Sequence, residues 1–84
     1  MISIKVLGPG CNNCQLVERN ARAAVENLGI QAKIEKVTAY PDIQRYKIFS
    51  TPGLVINEKV VCAGRIPNVD EIFTWITSEL ESTK

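Results

Sequence analysis

Cys11 and Cys14 flank the dipeptide Asn12-Asn13, directly after Gly8-Pro9-Gly10. Two thiols at this spacing, at the start of a helix, come within bonding range of each other. Disulfide exchange needs that arrangement: a thiolate to attack, and a second thiol within reach to resolve the mixed disulfide. The two sulfurs would also have unlike surroundings. Cys11 falls at or just before a helix N-terminus, where unpaired N–H groups and the helix dipole favour negative charge. Such placement lowers a thiol pKa from about 8.5 to between roughly 3.5 and 7.5. Cys11 is therefore the expected nucleophile. Cys14 falls on the apolar stripe of the helix and is expected to be buried, protonated and resolving. Asn12 and Asn13 carry no charge, which leaves the tuning to backbone and dipole. Lys5 would lower the thiolate pKa further if its ammonium came near, and would otherwise be a solvated strand end. Two reduced structural cysteines are the plainer alternative, since buried cysteine is often inert. A Gly-Pro-Gly loop followed by a helix start is a poor place for core and a good one for an active site.

The elements that must position these thiols are legible from periodicity. Ile2 to Leu7 is a short apolar run, ended by Gly8-Pro9-Gly10, and predicts a buried strand and a sharp loop. From residue 12 to 28 the period becomes helical, with Cys14, Val17, Ala21, Ala24, Val25 and Leu28 on one stripe. Gly29 is a natural C-terminal cap. Gln31 to Val37 alternates, with Ala32, Ile34 and Lys36 set against Lys33, Glu35 and Val37, and predicts an edge strand. Pro41 suits the first turn of a short helix running to about Phe49, which Ser50-Thr51-Pro52-Gly53 breaks. Leu54-Val55-Ile56 and Lys59-Val60-Val61-Cys62 are strands joined tightly at Asn57-Glu58, where asparagine tolerates left-handed backbone. Asn68-Val69-Asp70-Glu71 predicts an N-cap with its capping-box acid. Val69, Ile72, Phe73, Ile76 and Leu80 form the stripe of a last helix.

The predicted order is β-α-β-α-β-β-α. A βαβ unit makes the first two strands parallel with a right-handed crossover, and the tight hairpin makes the last two antiparallel. Helices on both faces of a four-stranded mixed sheet is the compact solution. With 84 residues the chain forms one domain, residues 1–84, and buries only roughly 60% of its unfolded surface. Ten basic and nine acidic residues leave a net charge of +1, which gives no electrostatic footprint for nucleic acid or anionic membrane. No run approaches the roughly 20 apolar residues of a membrane helix. The N-terminal Met1–Leu7 segment is too short and too alternating for a signal peptide, so the expected compartment is the cytoplasm. Three cysteines, an odd number, argue against a secreted disulfide scaffold.

A Cys-x-x-Cys pair after a first strand, at a helix start, resembles the thioredoxin-like motif. Thr51-Pro52 falls just before the third strand, where the thioredoxin family places a cis-proline. Gly64 ends the fourth strand, where that family tends to carry glycine. The resemblance runs from Ile2 to about Leu80. It lacks the extra N-terminal strand and helix of full thioredoxins, so the chain looks like the minimal, glutaredoxin-sized version. Ser50-Thr51-Pro52-Gly53-Leu54-Val55-Ile56-Asn57 and the hairpin after it resemble the small redox-active disulfide proteins of archaea and bacteria. The resemblance implies an α/β, thioredoxin-like fold with sheet order 2-1-3-4. It implies a thiol–disulfide oxidoreductase or dithiol electron carrier, with a redox-active Cys11–Cys14 disulfide and no cofactor. The expected partners are a disulfide reductase as electron donor and disulfide-containing protein substrates, met by a monomer. Gly10, Asn12, Asn13, Thr51, Pro52 and Gly64 are the expected substrate-binding residues, with the Thr51 backbone pairing with an extended substrate segment. The sequence departs from the family in three ways. Asn12-Asn13 replaces the Gly-Pro of thioredoxin and the Pro-Tyr of glutaredoxin. No tryptophan precedes Cys11, since Trp75 is in the last helix. The buried acid that thioredoxins carry six residues before the first cysteine is here Lys5.

Other readings remain open at this stage. Structural zinc wants four Cys or His ligands, and a chain with three cysteines and no histidine cannot complete that set alone. A dimer sharing Cys11 and Cys14 could. A soft trivalent metalloid needs only two or three thiolates, and a bridged [2Fe–2S] cluster on Cys11 with glutathione is the glutaredoxin-like variant. A regulatory domain that docks partners without turnover is a further reading. In the expected strand order one strand separates Cys62 from the strand that feeds Cys11. Two spacings of roughly 4.8 Å exceed disulfide reach, so Cys62 is expected to be a core or edge thiol. Trp75 and Phe73 are expected to be core, and Tyr40 and Tyr46 give no functional signal.

Overall fold

Ile2, Ile4 and Val6 alternate with Ser3 and Lys5, and that period of two puts the first three on one face of β1 (Ile2–Leu7). The structure is a computed structural model and describes residues 2–8, 12–48 and 51–82. After β1 come α1 (Asn12–Leu28), β2 (Ala32–Val37), α2 (Tyr40–Gln44), β3 (Gly53–Ile56), β4 (Lys59–Ala63) and α3 (Val69–Ser82). The sheet order is β2-β1-β3-β4. β1 and β2 are parallel, while β1–β3 and β3–β4 are antiparallel, as the crossover and the hairpin require. β2 is an edge strand, as expected.

The sheet separates two unequal cores. On one face Ile2, Ile4, Val6, Leu54, Ile56 and Cys62 meet Cys14, Val17, Ala21 and Ala24 of α1 and Ile72 and Ile76 of α3. Ala21 and Ala24 are fully buried, and their small side chains let α1 lie close to the sheet. On the other face α2 covers Leu7 and Val55 with Ile43, flanked by Val37, Tyr46 and Ile48. The stripe of α3 is narrower than the sequence suggests. Ile72 and Ile76 are fully buried and Trp75 packs at the margin of the core, but Phe73 is 37% exposed and Leu80 38%. Phe73 is one residue, about 100°, round the helix from Ile72, which turns it to the outer side of α3.

Local chemistry ends each element where expected. Gly29 adopts φ 65° and its N–H donates to the Val25 and Glu26 carbonyls, closing α1. At α3 the Asn68 Oδ1 accepts from the Glu71 N–H at 2.8 Å, and the Glu71 carboxylate accepts from the Asn68 N–H at 3.3 Å. That is the reciprocal capping box. Asn57 and Glu58 both have positive φ, 51° and 68°, so the β3–β4 link is a tight turn whose twist matches the strands. The second helix is shorter than predicted. It stops at Gln44, and the chain turns through Arg45–Lys47 with Lys47 at φ 58°. The turn sends Ile48 back into the smaller core. Phe49, the predicted end of that helix, lies outside the described residues.

The turn at Glu58 is tied to β1 across the sheet. The Lys5 ammonium donates to the Glu58 carboxylate and, at 3.1 Å, to the Tyr46 hydroxyl, which itself donates to Glu58 at 2.9 Å. The hydrogen bonds from Lys5 and Tyr46 hold the Glu58 carboxyl below its ordinary value of 4.5. The folded state therefore binds fewer protons at this site than the unfolded chain in acid. Its contribution is present above the unfolded value and is lost as pH falls through the folded one. Glu58→Gln should reduce stability at neutral pH and flatten the acid fall in the urea midpoint between about pH 3 and 6. An acid limb as steep as that of the unsubstituted protein would show that the Lys5–Tyr46–Glu58 cluster contributes nothing.

Candidate functional site

α1 begins at Asn12, and its first turn presents Asn13 outward and Cys14 inward. Asn12 and Asn13 are exposed, while Cys14 is buried against the end of β1. The contact there is unusually close. A Cβ added to Gly8 would stand 2.1 Å from the Cys14 Sγ and 3.8 Å from the Thr51 Cβ. No side chain fits at residue 8 while the thiol occupies that position. Gly8 is held in place by its N–H, which donates to the Val37 carbonyl at 2.9 Å. One backbone point therefore brings the start of α1 and the Thr51 loop to the same corner of the sheet.

The loop side of that corner is equally fixed. The Thr51–Pro52 peptide bond is cis. Pro52 is buried and Thr51 exposed. Gly64, at φ 83°, donates its N–H to the Pro52 carbonyl at 2.9 Å, which links the end of β4 to the loop. Thr51 also forms one wall of an open groove lined by Tyr40, Ile43, Gln44, Lys47 and Ile48. Thus Asn12, Asn13, Cys14, Thr51, Pro52 and Gly64 belong to one connected corner. Cys11 and Gly10, the other two predicted site residues, lie outside the described residues.

Two sequence expectations are settled on other elements. Cys62 is buried, and its register partner Leu54 is itself the partner of Val6, so β3 intervenes between Cys62 and β1 as expected. Its Sγ lies 3.8 Å from the Arg65 carbonyl. Of the two readings of Lys5, the approach to the Cys11 thiolate falls on a residue outside the described ones, and the solvated strand end is not what the structure shows. Its side chain is only 22% exposed, so it is no solvated strand end. It points to the α2 face, into the cluster with Tyr46 and Glu58, while Cys14 packs on the α1–α3 face. The hydrogen bond it donates to Glu58 holds its ammonium well above the ordinary lysine range. The strand's period of two is the reason: Lys5 is out of phase with Ile4 and Val6, which face Cys14.

The sequence reading did not single out Gly8, Glu18 or Lys36 for the site. Lys36 shares the phase of Ala32 and Ile34 on β2, and a lysine on the apolar phase was the available signal. Its ammonium reaches across to Glu18 of α1 at 3.2 Å. Lys36 and Cys14 line a single cavity of ≈80 Å³ with Val6, Gly8, Gln15 and Thr38. Among the described residues no group of three or more His, Cys, Asp or Glu is placed to hold a metal ion. None of the described helices is long and apolar enough to cross a membrane.

Residues 2–77 match the model of the thioredoxin domain family. The chain belongs to that family. A thioredoxin of Methanocaldococcus jannaschii is 41% identical over 81 residues, which span 96% of this chain and 93% of that one. A thioredoxin of Methanothermobacter thermautotrophicus is 39% identical over 72 residues, 86% of this chain and 94% of its own. Among solved structures, thioredoxin 1 of Thermosipho africanus superposes with a TM-score of 0.60 at 22% identity, covering 98% of this chain and 99% of that chain. Thioredoxin-2 of a malaria parasite gives 0.67 at 12% identity, covering 93% and 82%. At those identities the structural likeness speaks for the fold, a four-stranded mixed sheet of order 2-1-3-4. The thioredoxin-domain assignment makes this a thioredoxin-like redox protein.

The Gly8 contact gives a direct test of the corner. Gly8→Ala should lower stability by about 1–3 kcal/mol, the range of overpacking strain, in urea unfolding. Gly53→Ala should cost less, because its added Cβ meets the flexible Cδ1 end of Ile48 at 2.7 Å. Removing the sulfur in Gly8→Ala/Cys14→Ala should recover part of the loss. No recovery would mean that the thiol does not fill the space beside Gly8.

Proposed function

We propose that this protein is a thiol–disulfide oxidoreductase, a dithiol electron carrier that reduces protein disulfides through Cys11 and Cys14. The observation that carries the reading is the corner at Gly8, where a buried Cys14 in the first turn of α1 and the exposed Thr51 meet. Cys11 immediately precedes that turn in sequence, and its thiolate is the nucleophile. It attacks one sulfur of a partner disulfide, the partner's other sulfur leaves as a thiolate, and a mixed disulfide forms. Cys14 then loses its proton and attacks the Cys11 sulfur. The Cys11–Cys14 bond forms, the bond from Cys11 to the partner breaks, and the released partner thiolate takes up a proton. Two electrons pass from the dithiol to the partner.

The remaining residues of the corner have binding roles. Thr51 offers its backbone to an extended segment of the substrate, and Pro52, Gly64, Gly10, Asn12 and Asn13 shape the surface around it. No cofactor is required, because the disulfide itself carries the electrons. A disulfide reductase supplies them, disulfide-containing proteins accept them, and the protein works as a monomer in the cytoplasm.

Equilibration of the purified protein across a thiol–disulfide buffer series tests the reading. A reversible two-electron transition near or below the cytosolic poise, roughly −220 to −320 mV, is the expected result. Cys11→Ser should abolish disulfide reduction, Cys14→Ser should trap mixed disulfides with partners, and Cys62→Ser should leave turnover nearly unchanged. A pair unable to close an intramolecular disulfide, or full activity in Cys11→Ser, would overturn it.

A further inference from the structure

Lys47 is an exposed lysine in left-handed backbone, at φ 58°. That conformation is costly for a residue with a Cβ, and glycine or asparagine is its usual occupant. The turn is made by the backbone alone. The Lys47 N–H donates to the Gln44 carbonyl at 2.9 Å, and Ile48 then enters the smaller core. Neither contact uses the lysine side chain, so a glycine would serve the turn better. The charge of that side chain is equally unaccounted for. Lys5 pairs with Glu58, Lys33 with Glu35, Lys36 with Glu18 and Lys59 with Glu79. Among the described residues Lys47 has no carboxylate partner of this kind.

What Lys47 does line is the open groove that has Thr51 as one wall. The groove has a volume of ≈680 Å³, within the roughly 300–1,000 Å³ of ligand pockets. Much of its lining is apolar. Ile43 is buried, Ile48 is half-buried, and Tyr40 is 63% exposed. Gln44 adds an uncharged amide. Among the described residues that line the groove, Lys47 alone is charged. Asp42, also on α2, lines a separate cleft with Lys5, Arg45 and Glu35. Glu58 is taken up by Lys5 and Tyr46. The groove therefore offers apolar surface and one uncompensated positive charge, next to the residue whose backbone receives the substrate.

Building on the dithiol reading above, we infer that Lys47 is a specificity-determining residue, selecting protein substrates that carry an acidic side chain close in sequence to the reacting cysteine. An extended segment that starts at Thr51 advances along the groove by about 10 Å in three residues. A carboxylate within that span meets the ammonium at the surface, in water. Charges so placed act on encounter rate and on the choice of partner more than on tightness of binding. Lys47 touches no reacting atom, and the exchange between Cys11 and Cys14 proceeds without it.

Competition between peptides tests the assignment. Each peptide is closed by one internal disulfide. The two members of a pair differ only in Glu or Gln at one position, which is moved through the three positions on either side of one cysteine. Protein reduced beforehand and freed of reductant is added in limiting amount to an equimolar pair, and the reduced peptides are counted by mass spectrometry. Dividing by the ratio obtained with dithiothreitol removes the effect of the acid on its own disulfide. At the best position the Glu peptide should be preferred about threefold, the scale of an exposed ion pair. The preference should fade at high salt. Lys47→Arg should keep it, Lys47→Gln should abolish it and Lys47→Glu should reverse it. Lys47→Gly suits the left-handed turn, so its urea midpoint should be no lower than that of the unsubstituted protein while the preference is lost. Equal reduction of Glu and Gln peptides at every position, or a preference that survives Lys47→Gln or Lys47→Gly, overturns the role of Lys47. Cys11→Ser separates the two levels. Peptide reduction that persists in Cys11→Ser overturns the dithiol reading, whereas reduction that needs Cys11 but ignores the acid overturns only this inference.

Discussion

A sulfur atom lies where the side chain of residue 8 would otherwise be. That steric exchange between Cys14 and Gly8 fixes how the first helix meets the first strand, and much of the site depends on it. Helix and strand can approach this closely only if the strand end has no Cβ and the helix carries small residues further along. Ala21 and Ala24, both fully buried, satisfy the second condition. The Thr51 Cβ would stand 3.8 Å from a Cβ added to Gly8, so the loop before β3 reaches the corner too. The Gly64–Pro52 hydrogen bond then ties β4 to that loop. Three segments distant in sequence share one corner because none of them places bulk at its centre.

The period of two in β1 divides the chemistry between the faces of the sheet. Ile4 and Val6 face α1, α3 and the thiols, while Lys5 faces α2 and closes a polar cluster with Tyr46 and Glu58. A shift of one position would exchange the two sets, so Lys5 lies on the sheet face opposite Cys14. The offset at which thioredoxins carry a buried acid falls on the wrong phase here. Lys36 shows the opposite case. It lies far from the dithiol in sequence, yet it is paired in register with Val6 on the strand next door and therefore shares the face of Cys14.

Most of the architecture was legible because each signal was local. The glycine at the end of α1, the asparagine in the β3–β4 turn and the Asn68–Glu71 box are satisfied by atoms a few residues away. Strand directions followed from connection rules, whereas the strand order came with the family resemblance. The burial of Cys14 and of Cys62 followed from period and topology. What was not legible depends on distant partners. The early end of α2 comes from a left-handed residue at Lys47, a lysine that carries no turn signal of its own. The special role of Gly8 depends on a thiol six residues on, and a glycine before a proline looks like loop in any case. The Glu18–Lys36 pair bridges a helix and a strand whose relative height no propensity encodes.

The core of this small domain helps explain why its charges collect at the rim. Among the described residues no polar or charged side chain is buried, and no buried side-chain nitrogen or oxygen lacks a partner. A chain with so thin a stability margin gains most from an interior of hydrocarbon and small groups. Cysteine suits that interior, because a thiol behaves as a small hydrophobe and asks for no strong hydrogen bond. A thiolate does not, since burying an unpaired charge is far more expensive than burying its neutral form. A fold that stores its second thiol in the core therefore holds it in the form that does not react. The end of β2, where the strand is an edge and α1 passes over it, is a place where a hydrated side chain and a buried thiol can face the same small cavity.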